Sequence, residues 1–363
     1  MINRVYSMDL IRALATMLVV IVHTKYYFFS NTIYFLIFSV WKVAGTVGVP
    51  LFVILTGYLM FQRKFTDGDY LKRYISRNLL PLFIAFESWN ILWNLLRYTY
   101  VADPPQKWMA VAKAALFMGD TLSALWYLPM TIALYLGMPI LSIAFHQIRE
   151  PAYRKLIAAA LLLSGTLIPS IASILSLFGK KTAIHSVLRM NIFGASVWGE
   201  SVWMIYLLAG YYISQKGLKR ISSLKLGLMG VLVPFSIMYA VELTKHTVQH
   251  YDFVLVVVLS ISVFELLTRT ENFLHEHPTG YHLIKQISEV SFAIYMLHVY
   301  VCGAIIKGIE KFILGHSITQ SLPWTTDIFF YLVFILLSVL IIGCMANVLA
   351  QNRFIKKYLF LMK

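Results

Sequence analysis

Apolar runs of roughly 20 residues, each long enough to cross the hydrocarbon core of a bilayer, recur from one end of this chain to the other. Breaking the sequence at its charged and Pro/Gly-rich segments leaves about ten, near 8–29, 36–61, 78–99, 123–146, 155–178, 196–214, 225–243, 252–268, 289–312 and 327–350. Composition supports the reading. Of 363 residues, 59% are apolar and 13% charged, against about 25% charged in an ordinary soluble domain. The mean hydropathy is +0.73. The fold expected is all-α, a polytopic membrane helix bundle of about ten transmembrane helices forming one domain over residues 1–363. The connections are short, the longest near 179–195 and 269–288, and hold no separate soluble domain.

The formal net charge of +15 does not point to nucleic acid, because the charges punctuate the apolar runs instead of clustering on one face. With a cytoplasmic N-terminus and alternating spans, 20 of the 31 lysines and arginines fall on the cytoplasmic side. That bias has the sign of the positive-inside rule and places both termini in the cytoplasm. The opening apolar stretch carries Arg12, His23 and Lys25 and no small-residue cleavage site follows it, so it reads as a retained first span. The two cysteines, Cys302 and Cys344, lie inside apolar runs and build neither a disulfide framework nor a zinc site.

The first span reads MDLIRALATMLVVIVHTKYYFF. Arg12 and His23 are eleven residues apart, three helical turns, so they share nearly one face. At 1.5 Å per residue they stand roughly 16 Å apart along the axis. Asp9, three residues before Arg12, is spaced to pair with it. Ionisable groups at such depth are expensive and face a bundle interior or a wet cavity, where they mark function; the plainer alternative for His23 is a satisfied core histidine.

The second span ends in GVPLFVILTGYLMFQRK, where Gly48, Pro50, Thr56 and Gly57 permit close packing or a local helix break. DGDYLKRYISRNLLPLF follows, with Lys72, Arg73 and Arg77 crowding the mouth of the third span. Such a cluster enforces topology or, because arginine forks match phosphate oxygens, holds a phosphate. TLSALWYLPMTIALYL opens the fourth span with Trp126, Tyr127 and Pro129, which interfacial aromatics alone also explain. In EVSFAIYMLHVY, Ser291 and Tyr295 share a face and His298 lies at i+3 from Tyr295. A second membrane histidine suits proton chemistry or acceptor binding, with a structural hydrogen bond as the alternative. Glu87 is a further candidate by its depth in the third span. His246 and His250 at i, i+4 lack the Glu of an HExxH site, so no metal site is expected. His275, His277 and His282 fall in a Pro/Gly-containing connection and are expected to be solvated.

In this order, DLIRALATMLVVIVH, GVPLFVILTGYL, KRYISR before Pro81, LWYLP and SFAIYMLH resemble the acyltransferase 3 family of bacterial membrane acyltransferases. The resemblance runs from the first span to the ninth. Two features depart from the family's pattern: its arginine spacing is often shorter and closer to the proline, and Thr56 replaces the usual Ser before the Gly-Tyr pair. The resemblance implies a multi-pass protein of the bacterial cytoplasmic (inner) membrane. Its implied reaction moves an acyl group, usually acetyl from acetyl-CoA, to a hydroxyl of a surface carbohydrate or its lipid-linked precursor, such as an O-antigen unit of lipopolysaccharide. Some relatives carry a C-terminal SGNH-type domain that completes transfer outside; this sequence holds none, so the chain itself or a separate glycan-assembly protein is expected to finish it.

On this reading the catalytic set is Asp9, His23, Tyr295 and His298, and the donor-binding set is Arg12, Lys72, Arg73, Arg77 and Trp126. Acetyl-CoA is a substrate, with no permanently bound cofactor; its phosphates would sit at the arginines and its pantetheine arm would reach toward His23. His23 then serves as general base or as an acyl-carrying nucleophile. Expected partners are acetyl-CoA, the carbohydrate or lipid-linked sugar acceptor and membrane lipid. The rival reading is a secondary transporter or flippase, in which buried Arg and His gate a pathway. A noncatalytic partner in a glycan-assembly complex is a third. No inverted repeat or pair of matching broken helices supports transport.

Overall fold

The computed structural model describes residues 4–24, 35–63, 65–99, 108–109, 111–113, 125–180, 191–192, 195–196, 201–247, 250–314 and 324–362. Its helices are α1 (Tyr6–Thr24), α2 (Phe35–Gly45), α3 (Gly48–Met60), α4 (Gly68–Tyr74), α5 (Leu80–Thr99), α6 (Tyr127–Gln147), α7 (Pro151–Leu162) and α8 (Ile168–Leu177). There follow α9 (Ser201–Ser214), α10 (Ser223–Lys225), α11 (Val233–Lys245), α12 (Val254–Thr268), α13 (Glu271–Glu276), α14 (Pro278–Glu289), α15 (Ser291–Ile309) and α16 (Trp324–Leu349). Among the described residues the one sheet is a two-residue antiparallel pairing, Asn191–Ile192 with Ala195–Ser196.

Eight described segments are long and apolar enough to cross a membrane. Two shorter apolar helices, Val202–Ser214 and Val254–Thr268, stand where the sixth and eighth spans are expected. The all-α polytopic architecture is therefore the observed one. The last residues expected in the first span, and the first residues of the fourth and sixth, lie outside the described residues. Leu332, Leu336 and Leu340 on α16, and Leu136 and Ile140 on α6, are exposed, as side chains that face lipid would be.

Three spans depart from a plain α-helix for a reason written in the sequence. Proline has no N–H to donate and its ring collides with the carbonyl four residues back. The turns before Pro81, Pro169 and Pro234 relieve this by widening to π-helix over Ile75–Leu79, Leu163–Leu167 and Leu226–Leu232. The Leu80 N–H accordingly reaches the Ile75 carbonyl, Ile168 reaches Leu163, and Val233 reaches Leu228. Pro139 sits inside α6 without such a turn. The basic run 72–77, expected ahead of the third span, is part of this helix, because Asp67 caps it by accepting the Asp69 N–H at 3.0 Å.

The chain divides into two compact units, each assembled from three stretches: Met1–Arg63, Phe145–Ser288 and Ile306–Ile335 in the first, and Lys64–Ala144, Glu289–Ile305 and Leu336–Lys363 in the second. In the first unit the second span is broken rather than continuous. Helix α2 ends at Gly45, the Thr46 hydroxyl caps back on the Val43 carbonyl at 2.7 Å, and α3 restarts at Gly48 with Pro50 in its first turn. Further along, a Cβ on Gly57 would collide with the backbone of Leu207, and one on Gly210 with the carbonyl of Ile54. Helices α3 and α9 thus cross backbone to backbone, the close packing that small residues permit in membranes. In the second unit, α5 is stapled to the C-terminal segment by the Trp89 indole N–H donating to the Leu359 carbonyl at 2.9 Å. Trp93 stacks on Tyr300 of α15 with centroids 3.7 Å apart.

Candidate active site

Helix α1 begins with amides that no helical carbonyl can satisfy. Glu271 of α13 takes two of them: the Tyr6 N–H donates to Oε1 at 2.9 Å and the Ser7 N–H to Oε2 at 2.7 Å. A carboxylate there also complements the positive end of the helix dipole. Burial pushes the Glu271 carboxyl up, but hydrogen bonds from Ser7 and from the backbone of Ser7 and Tyr6, with His275 beside it, hold it below its ordinary value. The Tyr6 ring is sandwiched between His275, at 4.0 Å, and Tyr281, at 3.8 Å. A concavity of about 370 Å³, lined by Arg4, Val5, Tyr6, Glu271 and His275, opens beside this stack.

One turn further in, Asp9 is 4% exposed and accepts from three side chains. Arg4 Nε donates to Oδ2 at 2.6 Å, the Tyr281 hydroxyl to Oδ2 at 2.8 Å, and the Ser288 hydroxyl to Oδ1 at 2.7 Å. Burial, and then donation to Asp9, push the Tyr281 phenol above its usual value. The pairing of Asp9 with Arg12 expected from their spacing is present as an ion pair at 3.7 Å, and Arg12 Nη1 also donates to Ser288 Oγ at 3.2 Å. Side chains lean toward the N-terminus of their helix, which carries Asp9 toward Arg4 and Arg12 toward Asp9. Arg12 is half-buried, with its side chain 34% exposed.

In segment 269–288 the three histidines are exposed, as expected of a solvated connection, but the segment is more than a connection. It is helical, and it supplies Glu271, His275, Tyr281 and Ser288 to this cluster. His277 stacks on Phe273 at 4.1 Å, and His282 is exposed. The signal for α14 was present: Tyr281, Ile284 and Ser288 recur at helical spacing between polar residues.

Helix α1 runs unbroken to Thr24, so the eleven-residue spacing does become an axial separation of roughly 16 Å between Arg12 and His23. His23 is half-buried in the helix's last turn. That turn is held by Tyr331 of α16, a fully buried residue that the sequence reading did not single out. The Tyr331 hydroxyl donates to the Ile21 carbonyl at 3.1 Å and lies 3.2 Å from the Thr24 hydroxyl. The ring of Trp41 meets Tyr331 edge-on at 6.2 Å. Elsewhere on α2, Lys42 Nζ pairs with Glu242 Oε1 at 2.6 Å, a membrane-span ion pair that was also not anticipated.

In the second unit, Lys72 and Arg73 are exposed and make only long contacts, 3.9 Å each, to Asp69 and Asp67, and Arg77 is exposed in the π turn. Two of the separate motifs do meet. Trp126, at the foot of α6, packs edge-on to Tyr127 at 6.4 Å, Tyr127 packs edge-on to Tyr295 at 5.8 Å, and Tyr295 lies 6.0 Å from the ring of His298. His298 is fully buried, with Nδ1 2.7 Å from the Tyr295 carbonyl. That contact makes Nδ1 the protonated nitrogen, so Nε2 carries the lone pair of the neutral ring. Both carboxyl oxygens of Glu87 are buried without a hydrogen-bond partner among the described residues.

The fold is thus that of a polytopic membrane protein whose first helix carries a hydrogen-bonded charge cluster at one end and a histidine at the other. The chain belongs to the acyltransferase 3 family, whose model, described as an acyltransferase domain, matches residues 5–343 and so spans both units. It is a multi-pass membrane acyltransferase. Neither the curated proteins nor the solved structures contain a match to it.

Proposed function

We propose that this chain transfers an acetyl group from cytoplasmic acetyl-CoA to a hydroxyl of a cell-surface carbohydrate or its lipid-linked precursor, in the bacterial inner membrane. The observation that carries the reading is α1 itself. One uninterrupted helix holds Arg12, whose side chain is partly exposed, and His23 roughly 16 Å further along, a span comparable to an extended pantetheine arm. A phosphate end of the donor binds Arg12 as a charge-assisted contact. The thioester then lies toward His23, whose imidazole serves as general base on the acceptor hydroxyl. Asp9, through Ser288, keeps Arg12 in place.

Lys72, Arg73 and Arg77 are assigned further phosphate contacts on their exposure and charge, and Trp126 a place in donor binding. Tyr295 and His298 are retained as a second catalytic pair, because Nε2 of His298 is the basic nitrogen of its neutral ring. Both termini lie in the cytoplasm, so a reporter fused after Pro105 reads the outer side, and a cytoplasmic signal there overturns the topology.

Purified protein given labelled acetyl-CoA and an acceptor glycan turns over, and His23→Ala abolishes transfer while the protein stays folded. Turnover at the wild-type rate in that variant sinks the mechanism. Glycan binding with no CoA chemistry would instead favour a transporter or flippase.

A further inference from the structure

Flat rings gain by stacking, and the last ring of a stack keeps one face for whatever comes next. At the N-terminal end of α1 three rings form such a ladder. Tyr281 and Tyr6 lie 3.8 Å apart at an interplanar angle of 3°, and His275 lies 4.0 Å beyond Tyr6 at 20°. Each residue is fixed by a polar contact: the Tyr281 hydroxyl donates to Asp9, the Tyr6 amide donates to Glu271, and His275 Nε2 stands 3.2 Å from Glu271 Oε1. Tyr6 covers one face of the His275 ring and Glu271 meets its Nε2 edge, yet the side chain is 53% exposed. Its outer face is therefore open, and His275 borders the concavity of about 370 Å³. That volume falls within the range of small-molecule sites, about 300–1,000 Å³.

Charge and position decide what such a platform can hold. Arg4 lines the concavity, is 41% exposed, and donates through Nε to Asp9, the carboxylate that Arg12 also pairs with. Two guanidiniums thus meet one carboxylate, a ratio that favours a further anion beside them. Val5, also on the wall, accepts the Met8 N–H in the first turn of α1. It precedes Arg12 by seven residues and His23 by eighteen, about two and five helical turns, so the concavity opens on the face that carries both. Along that helix a stacking platform, a guanidinium pair and a histidine follow in order, Tyr6 lying roughly 9 Å before Arg12. Base, phosphates and thioester follow in the same order along acetyl-CoA.

We propose that this concavity is the nucleotide subsite of the donor: the adenine of acetyl-CoA stacks on the outer face of His275, and its phosphates reach Arg4 as well as Arg12. The inference rests on acetyl-CoA being the donor, and it adds His275 and Arg4 to the residues that bind it. Stacking supplies affinity for a flat base, and the guanidiniums select a phosphorylated one. Because the three rings are already held in register, little ordering is needed on binding.

Equilibrium binding of labelled acetyl-CoA to the purified full chain, with adenosine 3′,5′-bisphosphate as competitor, tests the subsite without acyl transfer. The bisphosphate carries the nucleotide end and no pantetheine arm, and it is expected to displace acetyl-CoA. His275→Leu keeps the Tyr6 face covered but offers no π-face. It should weaken acetyl-CoA and the bisphosphate alike, by about 10-fold, with the number of sites per protein unchanged. His275→Phe keeps a ring and should bind both within about threefold of wild type. Acetyl-CoA affinity within about threefold of wild type in His275→Leu overturns the subsite, as does acetyl-CoA binding that the bisphosphate does not displace. Lost sites in His275→Leu, or equally weak binding in His275→Phe, also overturn it, because a merely structural histidine gives that pattern. A wild-type chain that binds no acetyl-CoA removes the donor reading and this subsite with it. Acetyl-CoA binding in a chain whose His23→Ala variant still transfers removes the His23 mechanism alone.

Discussion

The two ends of α1 are built on opposite principles. At the Asp9 end the polar groups satisfy one another: Asp9 accepts from Arg4, Tyr281 and Ser288, Ser288 also receives Arg12, and Glu271 closes the helix amides. At the His23 end the Tyr331 hydroxyl pins the last turn, and the Trp41 indole N–H beside Tyr331 makes no hydrogen bond among the described residues. A saturated network is rigid and has little capacity left for chemistry, so it suits holding a charged group in place. On the acyl-transfer reading proposed above, the first end positions the donor and the second carries the chemistry.

That contrast can be broken by experiments that load one end at a time. The largest effect is expected at Asp9. Asp9→Ala strands two arginines and should destabilise the protein by about 3 kcal/mol in detergent unfolding, while raising the KM for acetyl-CoA. At saturating donor its kcat should stay far above that of His23→Ala; equal losses in the two variants erase the distinction between the ends. Tyr281→Phe removes one donor to the carboxylate and should cost about 2 kcal/mol. A neutral result there would mean that Arg4 and Ser288 hold Asp9 without it.

A smaller effect, near 1 kcal/mol at neutral pH, is expected for Glu271→Gln, which weakens the closure of the helix N-terminus. Its pH dependence has a definite sign. The folded state holds the Glu271 carboxyl below its ordinary value of 4.5, so its contribution is complete above that pH and is lost as pH falls through the lower folded value. Unfolding measured between neutral pH and about pH 3 should therefore show a shallower acid limb in Glu271→Gln than in wild type. Identical limbs would remove Glu271 from the cluster's energetics. The smallest effect, about 1 kcal/mol or less, belongs to Tyr331→Phe, which frees the end of α1 from one hydroxyl. Lowered transfer with an unchanged donor KM would show that the turn needs this anchor for chemistry.

Local patterns were legible in the sequence where local physics decides them. The ten apolar segments, the break near Gly48 and Pro50, and the close approach at Gly57 follow from apolar length, proline chemistry and the absence of a side chain. The proline-linked π turns follow the same rule but escape a span-by-span reading, since hydropathy does not report how a turn is hydrogen-bonded. The pairing of Asp9 with Arg12 illustrates the limit. Spacing at i, i+3 permits the contact, but it cannot say that Arg4 and two residues of α14 compete for the same carboxylate. His275 is exposed as expected, but its stacking on Tyr6 was not legible, because Tyr6 lies in a distant part of the chain.

By itself, then, the sequence determined that this is a helical membrane chain with Arg12 and His23 on one face of its first span. Helical rise and apolar length are properties of neighbouring residues, and α1 needs no other element to space those two groups. Only the tertiary structure decided what surrounds them. Tyr281 reaches Asp9 across 272 residues, and Tyr331 reaches Ile21 across 310. Contacts at such separation arise from which helix faces pack together, and no local propensity encodes that choice. The hydrogen-bonded cluster at one end of α1 and the tyrosine anchor at the other are products of that packing.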